Sequence, residues 1–276
     1  MDASSLSRAL DTSRFGRAVR VHEEVESTNT EAAAWAGGEL GEPAPEGAVV
    51  LTEYQTAGRG RHGRTWNANA GQNLMLSIVL RPTLPPEQFG RITIASGVAV
   101  AETVADFVEP HPVTIKWPND ILLSGKKTCG MLLETSFGTT PAGPASGAVI
   151  LGIGLNVNQV DFPPEIEQQA TSMRLATGRA LPRVSVYAKL LGYLEARYDA
   201  VCSGDASTSR RVIRAYEDRL DRRGDRVTLR FAGTNRTTSG IVRGITDDGA
   251  LRLAPSATAS AVDETVLHAG EVTSRT

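Results

Sequence analysis

Apolar positions along the chain follow two kinds of pattern, short continuous runs and longer periodic stripes. The runs have the length of a strand, and they lie at 48–53, 73–80, 114–116, 131–134 and 149–151. They predict mostly buried strands. At 94–108 and 187–201 apolar residues instead recur every three or four positions, which predicts helices with one buried face. A charged segment at 210–220 predicts one more helix, which we expect to face solvent rather than a nucleic acid.

The pattern changes after residue 223, where the runs become shorter and glycines separate them. Strands are predicted at 225–231, 239–245, 250–253 and 265–272. Asp248-Gly249 is a strong hairpin signal between two of them. We therefore expect two domains, one at 1–222 and a small β-barrel-like one at 223–276.

Three further segments carry local signals. Residues 1–20 are polar and alanine-rich, and we expect a frayed or loosely docked start. Thr28 to Glu31 has the form of a capping box, with Thr28 as N-cap, and predicts a helix at 30–36. The segment 139–147 is rich in Pro, Gly, Ala and Ser, which predicts an exposed loop.

Composition narrows the class of protein. The 276 residues include 29 basic and 31 acidic side chains, so the formal net charge of −2 gives no overall attraction to DNA or to a membrane. No apolar run approaches the roughly 20 residues that span a bilayer, and no apolar signal segment is visible at the N-terminus. Two cysteines are too few for a disulfide framework. We expect a cytoplasmic protein.

The most informative segment is a glycine-rich loop, residues 58–64, with three arginines among three glycines. Glycine lets backbone approach a ligand, and arginine donates to phosphate or carboxylate oxygens, so the loop predicts an anion site. Gly58, Gly60 and Gly63 have the spacing of a dinucleotide-binding fingerprint, but loop residues follow them and 78–86 contain no acidic residue. A dinucleotide-binding site of the Rossmann type is therefore excluded. A solvated basic loop remains the alternative.

Three other clusters have both a functional and a structural interpretation. Lys116 to Asp120 combines a cation and an aromatic ring with two oxygen ligands, which suit Mg²⁺ or simply form a turn. Lys126-Lys127 precedes an apolar run and provides either a phosphate-binding cation or two exposed turn lysines. The residues 27–29 cap a helix, bind an anion at its N-terminus, or do both, since one residue can cap while its neighbours contact a ligand.

A catalytic nucleophile is missing from these motifs. Cys129 and Cys202 lack a nearby His or Asp in any motif, so we expect ordinary buried thiols. The four histidines are scattered and form no Ser-His-Asp or Cys-His pattern. An enzyme built on this chain would therefore act by positioning and charge rather than through a nucleophile of its own.

Taken together, the motifs resemble the signature set of biotin protein ligases. They match that family in order and spacing, and they lie at 26–29, 55–66, 116–120, 127–134 and 152–158. The resemblance implies an α/β (α+β) catalytic domain with a mixed β-sheet, related to class II aminoacyl-tRNA synthetases and lipoate ligases. A small Src-homology-3-like β-barrel follows it. The implied activity is ATP-dependent formation of biotinyl-5'-AMP and transfer of biotin to a lysine of a biotin carboxyl carrier domain, as in acetyl-CoA carboxylase.

The resemblance also implies a role for each matched residue. Biotin would contact Ser27, Thr28, Asn29, Gln55, Arg59, Gly60, Arg61 and Lys127. The nucleotide would contact Arg59, Arg61, Trp66, Lys116, Asn119, Asp120 and Asn156. Lys127, Arg59 and Arg61 would act in catalysis, and Asn119 and Asp120 would bind Mg²⁺.

Other functions compete with this interpretation. Within the fold, a lipoate or octanoate ligase is the alternative, but the arginine-rich loop and the Lys116–Asp120 motif favour biotin. A biotin-responsive DNA-binding repressor is less expected, because about two dozen residues precede Ser27 where such proteins carry a winged-helix domain. A non-catalytic biotin-binding protein would leave a carrier unmodified. The sequence leaves open whether the protein is a monomer or a homodimer.

Overall fold

The computed structural model describes residues 1–136, 139–140, 143–144, 147–231, 233–234, 236–256, 258–260 and 263–275. Its helices are α1 (Ala3–Arg8), α2 (Thr28–Gly37), α3 (Gly90–Val108), α4 (Met173–Thr177), α5 (Arg183–Cys202) and α6 (Ala206–Glu217). Its strands are β1 (Val19–Val25), β2 (Val49–Gln55), β3 (Leu74–Leu80), β4 (Val113–Lys116), β5 (Asp120–Leu123), β6 (Lys126–Ser136), β7 (Thr139–Thr140), β8 (Gly143–Pro144), β9 (Ala148–Leu155), β10 (Arg226–Arg230), β11 (Thr237–Ile245), β12 (Leu251–Ala254), β13 (Thr265–Leu267) and β14 (Glu271–Arg275). No described helix has the length and apolar character needed to cross a membrane.

A seven-stranded sheet in the order β1-β2-β3-β9-β6-β5-β4 forms the centre of the larger part. β1 pairs parallel with β2, and the other neighbouring strands pair antiparallel. The predicted α/β class with a mixed sheet is confirmed. Every residue of β3 is buried, which explains why its sequence is a continuous apolar run rather than an alternating one.

The two faces of this sheet are covered differently. Leu51, Leu76 and Ile78 point to the face that packs under α3 and α5, within the main core. Their neighbours Val50 and Val79 point to the other face and pack with α2 in a smaller cluster. Successive side chains of a strand point to opposite faces of the sheet. The second face is therefore covered by apolar packing only where this small cluster lies.

Beyond that small cluster, the second face carries few apolar side chains. Ser77 of β3 pairs with Gly152 of β9, and Gly152 also pairs with Leu132 of β6. Two residues further along β9, on the same face, Gly154 pairs with Gly130 of β6. A sheet surface made of glycine and serine leaves room directly above the backbone.

The second sheet has five antiparallel strands in the order β13-β12-β11-β10-β14. The predicted small β unit is thus confirmed, but the single strand predicted at 265–272 is wrong. It is two strands, and they pair with β12 and β10 on opposite edges of the sheet. Gly270 lies between them at φ 141°, a conformation that suits glycine and ends the run.

The N-terminal segment is not frayed as predicted. It forms α1 and then β1, the edge strand of the large sheet. Leu6, Leu10 and Phe15 are buried within the main core. Three well-spaced apolar residues therefore help to dock a segment that is otherwise polar, together with hydrogen bonds from the backbone of Ser13 and Arg14 to Glu195.

The capping box predicted at Thr28 is wrong as well. Ser27 is the N-cap of α2, and no side chain caps the helix from within the segment. Gln55 of β2 takes that role, because its Oε1 accepts from the backbone N–H of Thr28 at 2.8 Å. Of the loop predicted at 139–147, residues 141–142 and 145–146 lie outside the described residues, whereas 139–140 and 143–144 pair as two short strands.

A buried tyrosine gives a test of the helical layer. The hydroxyl of Tyr187 in α5 has no hydrogen-bond partner among the described residues, although the side chain is fully buried. An unsatisfied buried group costs about 1–3 kcal/mol. We expect Tyr187→Phe to leave the free energy of unfolding unchanged or to raise it by about 1 kcal/mol in urea titrations.

Tyr216→Phe is the matched control. Its buried hydroxyl donates to the carbonyl of Pro118 at 3.2 Å, so its loss should lower the free energy of unfolding by about 1 kcal/mol. Equal destabilisation in both variants would contradict the interpretation of Tyr187.

Candidate functional site

A cleft of about 680 Å³ opens over the glycine-rich part of the second sheet face. The glycine-rich loop forms one wall, and residues from 162 to 170 line another. All the residues to which the sequence assigned a role line this cleft, namely Ser27, Thr28, Asn29, Gln55, Arg59, Gly60, Arg61, Trp66, Lys116, Asn119, Asp120, Lys127 and Asn156. They come from strands, loops and a helix that are far apart in the sequence.

Trp66 forms part of the cleft by packing on glycine. A Cβ added to Gly154 would lie 2.4 Å from the Trp66 ring, and one added to Gly130 would lie 3.2 Å from it. The indole N–H of Trp66 is buried without a hydrogen-bond partner among the described residues. The Nζ of Lys127 lies 5.7 Å from the ring centroid. The ring thus presents an unpaired donor and an aromatic surface next to a cation.

At the other end of the cleft a polar network holds the start of α2. Ser27, Thr28 and Asn29 are all buried. Gln55 accepts from the Thr28 hydroxyl at 3.1 Å, in addition to its backbone contact. The Ser77 hydroxyl lies 2.7 Å from the Thr28 hydroxyl and 2.6 Å from the Asn29 oxygen. This end therefore offers uncharged polar groups in fixed positions, as suits a neutral polar ligand.

The three arginines of the glycine-rich loop are held by three different elements. Arg59 donates to Glu134 of β6 at 2.9 Å, Arg61 to the Asn119 side chain at 3.1 Å, and Arg64 to Glu271 of β14 at 2.8 and 2.5 Å. Two of the three partners are carboxylates. The loop is therefore fastened to both sheets.

Arg61 differs from the other two because its partner is a neutral amide. Burial lowers the pKa of the Arg61 guanidinium, whereas the hydrogen bonds that Arg64 donates to Glu271 raise the pKa of Arg64. Within the described part of the chain, Arg61 makes no ion pair. It is the loop arginine whose charge is best placed to bind an anionic ligand in the cleft.

Lys127 is a further cation of the cleft besides Arg61, and it forms an ion pair with Asp120 at 2.8 Å. The turn that carries Asp120 is firmly attached. The Asn119 side chain donates to the carbonyl of Met131 at 2.7 Å, and the indole of Trp117 donates at 2.9 Å to the carbonyl of Gly249, in the turn between β11 and β12. The two cations therefore stand on rigid supports.

The oxygens predicted to bind Mg²⁺ already have partners. Asn119 accepts from Arg61, and Asp120 faces Lys127. In the described residues no three His, Cys, Asp or Glu side chains form a metal cluster. The turn offers a single carboxylate, which suits Mg²⁺ that arrives with phosphate ligands rather than a preformed protein cage. The assignment of Asn119 and Asp120 to Mg²⁺ stays a prediction.

Asn156 provides the clearest unpaired acceptor. Its amide nitrogen donates to the carbonyl of Thr171 at 3.1 Å, but its Oδ1 is buried with no hydrogen-bond partner among the described residues. Lys116 also lines the cleft, next to Asp120 in the register of β4 and β5.

The sequence analysis assigned no role to the wall formed by residues 162 to 170, nor to three residues that hold the site residues in place. Ser77 had a recognisable signal, because a lone serine interrupts an otherwise apolar strand. Glu134 lay inside a motif without an assigned role, and Glu271 lay in an unremarkable C-terminal segment. Their positions depend on strand register, which no local pattern reveals.

Comparison with known proteins identifies the class. The model of the biotin/lipoate A/B protein ligase family matches residues 21–156, and that of the biotin protein ligase C-terminal domain matches residues 224–256. The bifunctional ligase/repressor BirA of Bacillus subtilis is 33% identical over 255 residues, which cover 92% of this chain and 74% of that protein. The biotin acetyl-CoA-carboxylase ligase of Mycobacterium tuberculosis is 37% identical over 212 residues, 75% of this chain and 73% of that protein.

A solved structure agrees with these relatives. The biotin protein ligase of Aquifex aeolicus, in complex with biotin and ATP, superposes with a TM-score of 0.75 at 25% identity. The match covers 94% of this chain and all of that one. The chain therefore belongs to the biotin protein ligase family.

The link between Arg64 and Glu271 gives a test of the loop. Arg64 lowers the pKa of the Glu271 carboxyl below its ordinary value of 4.5. The ion pair is therefore present at neutral pH and is lost only at a pH below that value. We expect Glu271→Gln to free one end of the loop and to speed tryptic cleavage after its arginines at neutral pH by about threefold or more.

Asp106→Asn is the control for this experiment, since it removes an ion pair with Lys189 in the helical layer. It should leave cleavage of the loop at the wild-type rate. The same rate of loop cleavage in Glu271→Gln and the wild type would disprove the anchoring role.

Proposed function

We propose that this protein is an ATP-dependent biotin protein ligase. It converts biotin and ATP to biotinyl-5'-AMP and pyrophosphate, and then transfers biotin to a lysine of the biotin carboxyl carrier domain of a carboxylase such as acetyl-CoA carboxylase. The observation that carries the proposal is the cleft itself, which brings together a neutral polar end, the cations Arg61 and Lys127 and an aromatic surface above a glycine floor. Family membership supports the same activity.

The neutral polar end suits the head group of biotin, which carries a ureido group that both donates and accepts hydrogen bonds. Ser27, Thr28, Asn29 and Gln55 provide such partners, and they are already held in place by one another and by Ser77. Groups fixed before binding pay little ordering cost when the ligand arrives. We assign the head group to this end.

The cations suit the chemistry of the first step. An oxygen of the biotin carboxylate attacks the α-phosphorus of ATP, and the bond to the bridging oxygen breaks as pyrophosphate leaves. Negative charge builds up on the α-phosphate oxygens, where Arg61 and Lys127 would neutralise it. Preorganised charges of this kind stabilise a transition state without any protein nucleophile.

The second step uses the same positions. The neutral amine of the acceptor lysine attacks the acyl carbon of biotinyl-5'-AMP, and AMP leaves as the amide bond forms and the amine loses a proton. Until the carrier arrives, the glycine-rich loop with Arg59, Gly60 and Arg61 would hold the reactive intermediate and exclude water.

The nucleotide would occupy the part of the cleft around Trp66. The free Oδ1 of Asn156 suits the exocyclic amino group of adenine, and the Trp66 ring offers a surface for the base. Lys116 lies close to Asp120, where the phosphates would pass. Asn119 and Asp120 would meet Mg²⁺ bound to those phosphates, and the ion would supply additional neutralisation of phosphate charge.

Several broader features belong to the same proposal. We place the domain boundary near residue 222, with a catalytic domain at 1–222 and a C-terminal domain at 223–276. The two separate sheets support this division.

We also propose a cytoplasmic location, because both cysteines are free thiols, as is usual in a reducing compartment. The net charge of −2 gives no overall attraction to DNA, so we propose that the protein does not bind DNA. Absence of biotin-dependent retention of DNA on a filter would support the last point, and retention would overturn it. Both a monomer and a homodimer are compatible with the proposal.

The activity itself has a direct test. Purified protein with Mg-ATP should attach biotin, but not octanoate or lipoate, to a carrier domain, as detected by the mass of the carrier. A carrier whose acceptor lysine is changed to arginine is the control and should stay unmodified. Transfer of octanoate instead of biotin would favour a lipoate-type ligase, and binding of biotin without transfer would favour a non-catalytic binding protein.

Lys127 should be essential for the first step. We expect Lys127→Ala to slow biotin-dependent exchange of pyrophosphate into ATP by about a hundredfold or more, because the α-phosphate loses a preorganised cation. Lys126→Ala is a matched control, since Lys126 is the exposed neighbour of Lys127 in β6. Near-normal exchange in Lys127→Ala, or equal losses in both variants, would contradict the role of Lys127.

A further inference from the structure

We propose that Glu134 is a positioning residue, which ties the glycine-rich loop to the head-group end of the cleft and thereby keeps the acyl-adenylate bound. The inference deepens the proposed function and rests on it. It also gives Arg59 a different role from Arg61, as the anchor of the loop rather than a cation for the phosphate.

One carboxylate oxygen of Glu134 joins the two parts of the site. Its Oε2 accepts from Nη2 of Arg59 at 2.9 Å and from Nδ2 of Asn29 at 2.6 Å. Arg59 lies in the loop and Asn29 at the start of α2, so residues 30 positions apart in the chain meet at a single atom of β6. A shift of either partner would strain the contact of the other.

The Asn29 side of this junction is rigid. Asn29 is buried, and its oxygen lies 2.6 Å from the Ser77 hydroxyl. A Cβ added to Gly152 would lie only 2.2 Å from that oxygen, so the side chain rests directly on the backbone of β9. β6 in turn pairs with β9 over its length from Cys129 to Ser136. Glu134 therefore presents its charge from a fixed point.

The Arg59 side of the junction governs the loop. The backbones of Arg59 and Thr65 form an isolated antiparallel β-bridge, and the N–H of Trp66 donates to the carbonyl of Gly58 at 2.9 Å. These contacts make 58–66 a small hairpin whose base is fixed when Arg59 is fixed. Arg61 lies within this hairpin and Trp66 ends it, so an anchor at Arg59 sets the position of both.

The charges distinguish the two arginines. Arg59 has its charge matched by Glu134 at 2.9 Å, whereas Arg61 has a neutral amide partner. An arginine already paired with a carboxylate gains less from a phosphate than one without such a partner. The geometry therefore assigns phosphate binding to Arg61 and anchoring to the pair of Arg59 and Glu134.

The test compares Glu134→Gln with the wild type. Glutamine keeps an oxygen for Asn29 but loses the charge that holds Arg59. We expect the KM for biotin to stay within about twofold, and the dissociation rate of preformed biotinyl-5'-AMP to rise by about three- to tenfold, as for the loss of a half-exposed ion pair. A general structural defect would instead change the KM for biotin and the dissociation rate of biotinyl-5'-AMP together.

Arg59→Ala provides the second arm and does not depend on the stability of Glu134→Gln. It should raise the dissociation rate by a similar factor, and the double variant should add nothing beyond about twofold, because both changes break the same contact. The control is Glu102→Gln, which breaks a carboxylate pair with Arg197 in the helical layer and should leave dissociation unchanged.

The outcomes separate this proposal from the proposed function. If the wild type forms no biotinyl-5'-AMP, the ligase function fails and the role of Glu134 falls with it. If the wild type forms it, but Glu134→Gln retains it equally well or the two changes add independently, only the role of Glu134 is overturned.

Discussion

The site depends on close contact between two side chains, Asn29 and Trp66, and the glycine backbone of β9. Where Gly152 and Gly154 occupy the second face of the large sheet, Asn29 and Trp66 come within contact distance of the strand itself. Any side chain at these positions would need space that the two residues already fill. The same face is apolar and covered by α2 a few residues away, so one strand provides both a packed core and an open floor.

The walls of the cleft depend on charge rather than on packing. The glycine-rich loop buries little apolar surface of its own, and it is held by Glu134, Asn119 and Glu271. Because two of these partners are carboxylates, two arginines are neutralised and the charge of Arg61 remains for a ligand. The loop thus uses two of its three arginines to hold itself in place.

The second sheet contributes to the site through its position. Glu271 of β14 reaches the glycine-rich loop, and the carbonyl of Gly249 accepts from Trp117 beside the Asn119–Asp120 turn. Two walls of the cleft are therefore fastened by contacts that join residues 207 and 132 positions apart in the chain. The C-terminal unit supports the geometry of the cleft, although the sequence places none of the predicted site residues there.

The sequence by itself determined the class of fold, the family and 13 of the residues that meet in the cleft, because strand runs, helical stripes and short motifs are properties of neighbouring residues. It failed where an outcome depended on distant partners: Leu6 and Phe15 docked a polar start, and Gln55 replaced the predicted cap of α2. Only the tertiary structure decided which partner holds each arginine. Those partners lie 75, 58 and 207 residues away in the chain, and strand register and sheet packing, not local pattern, bring them within hydrogen-bond distance.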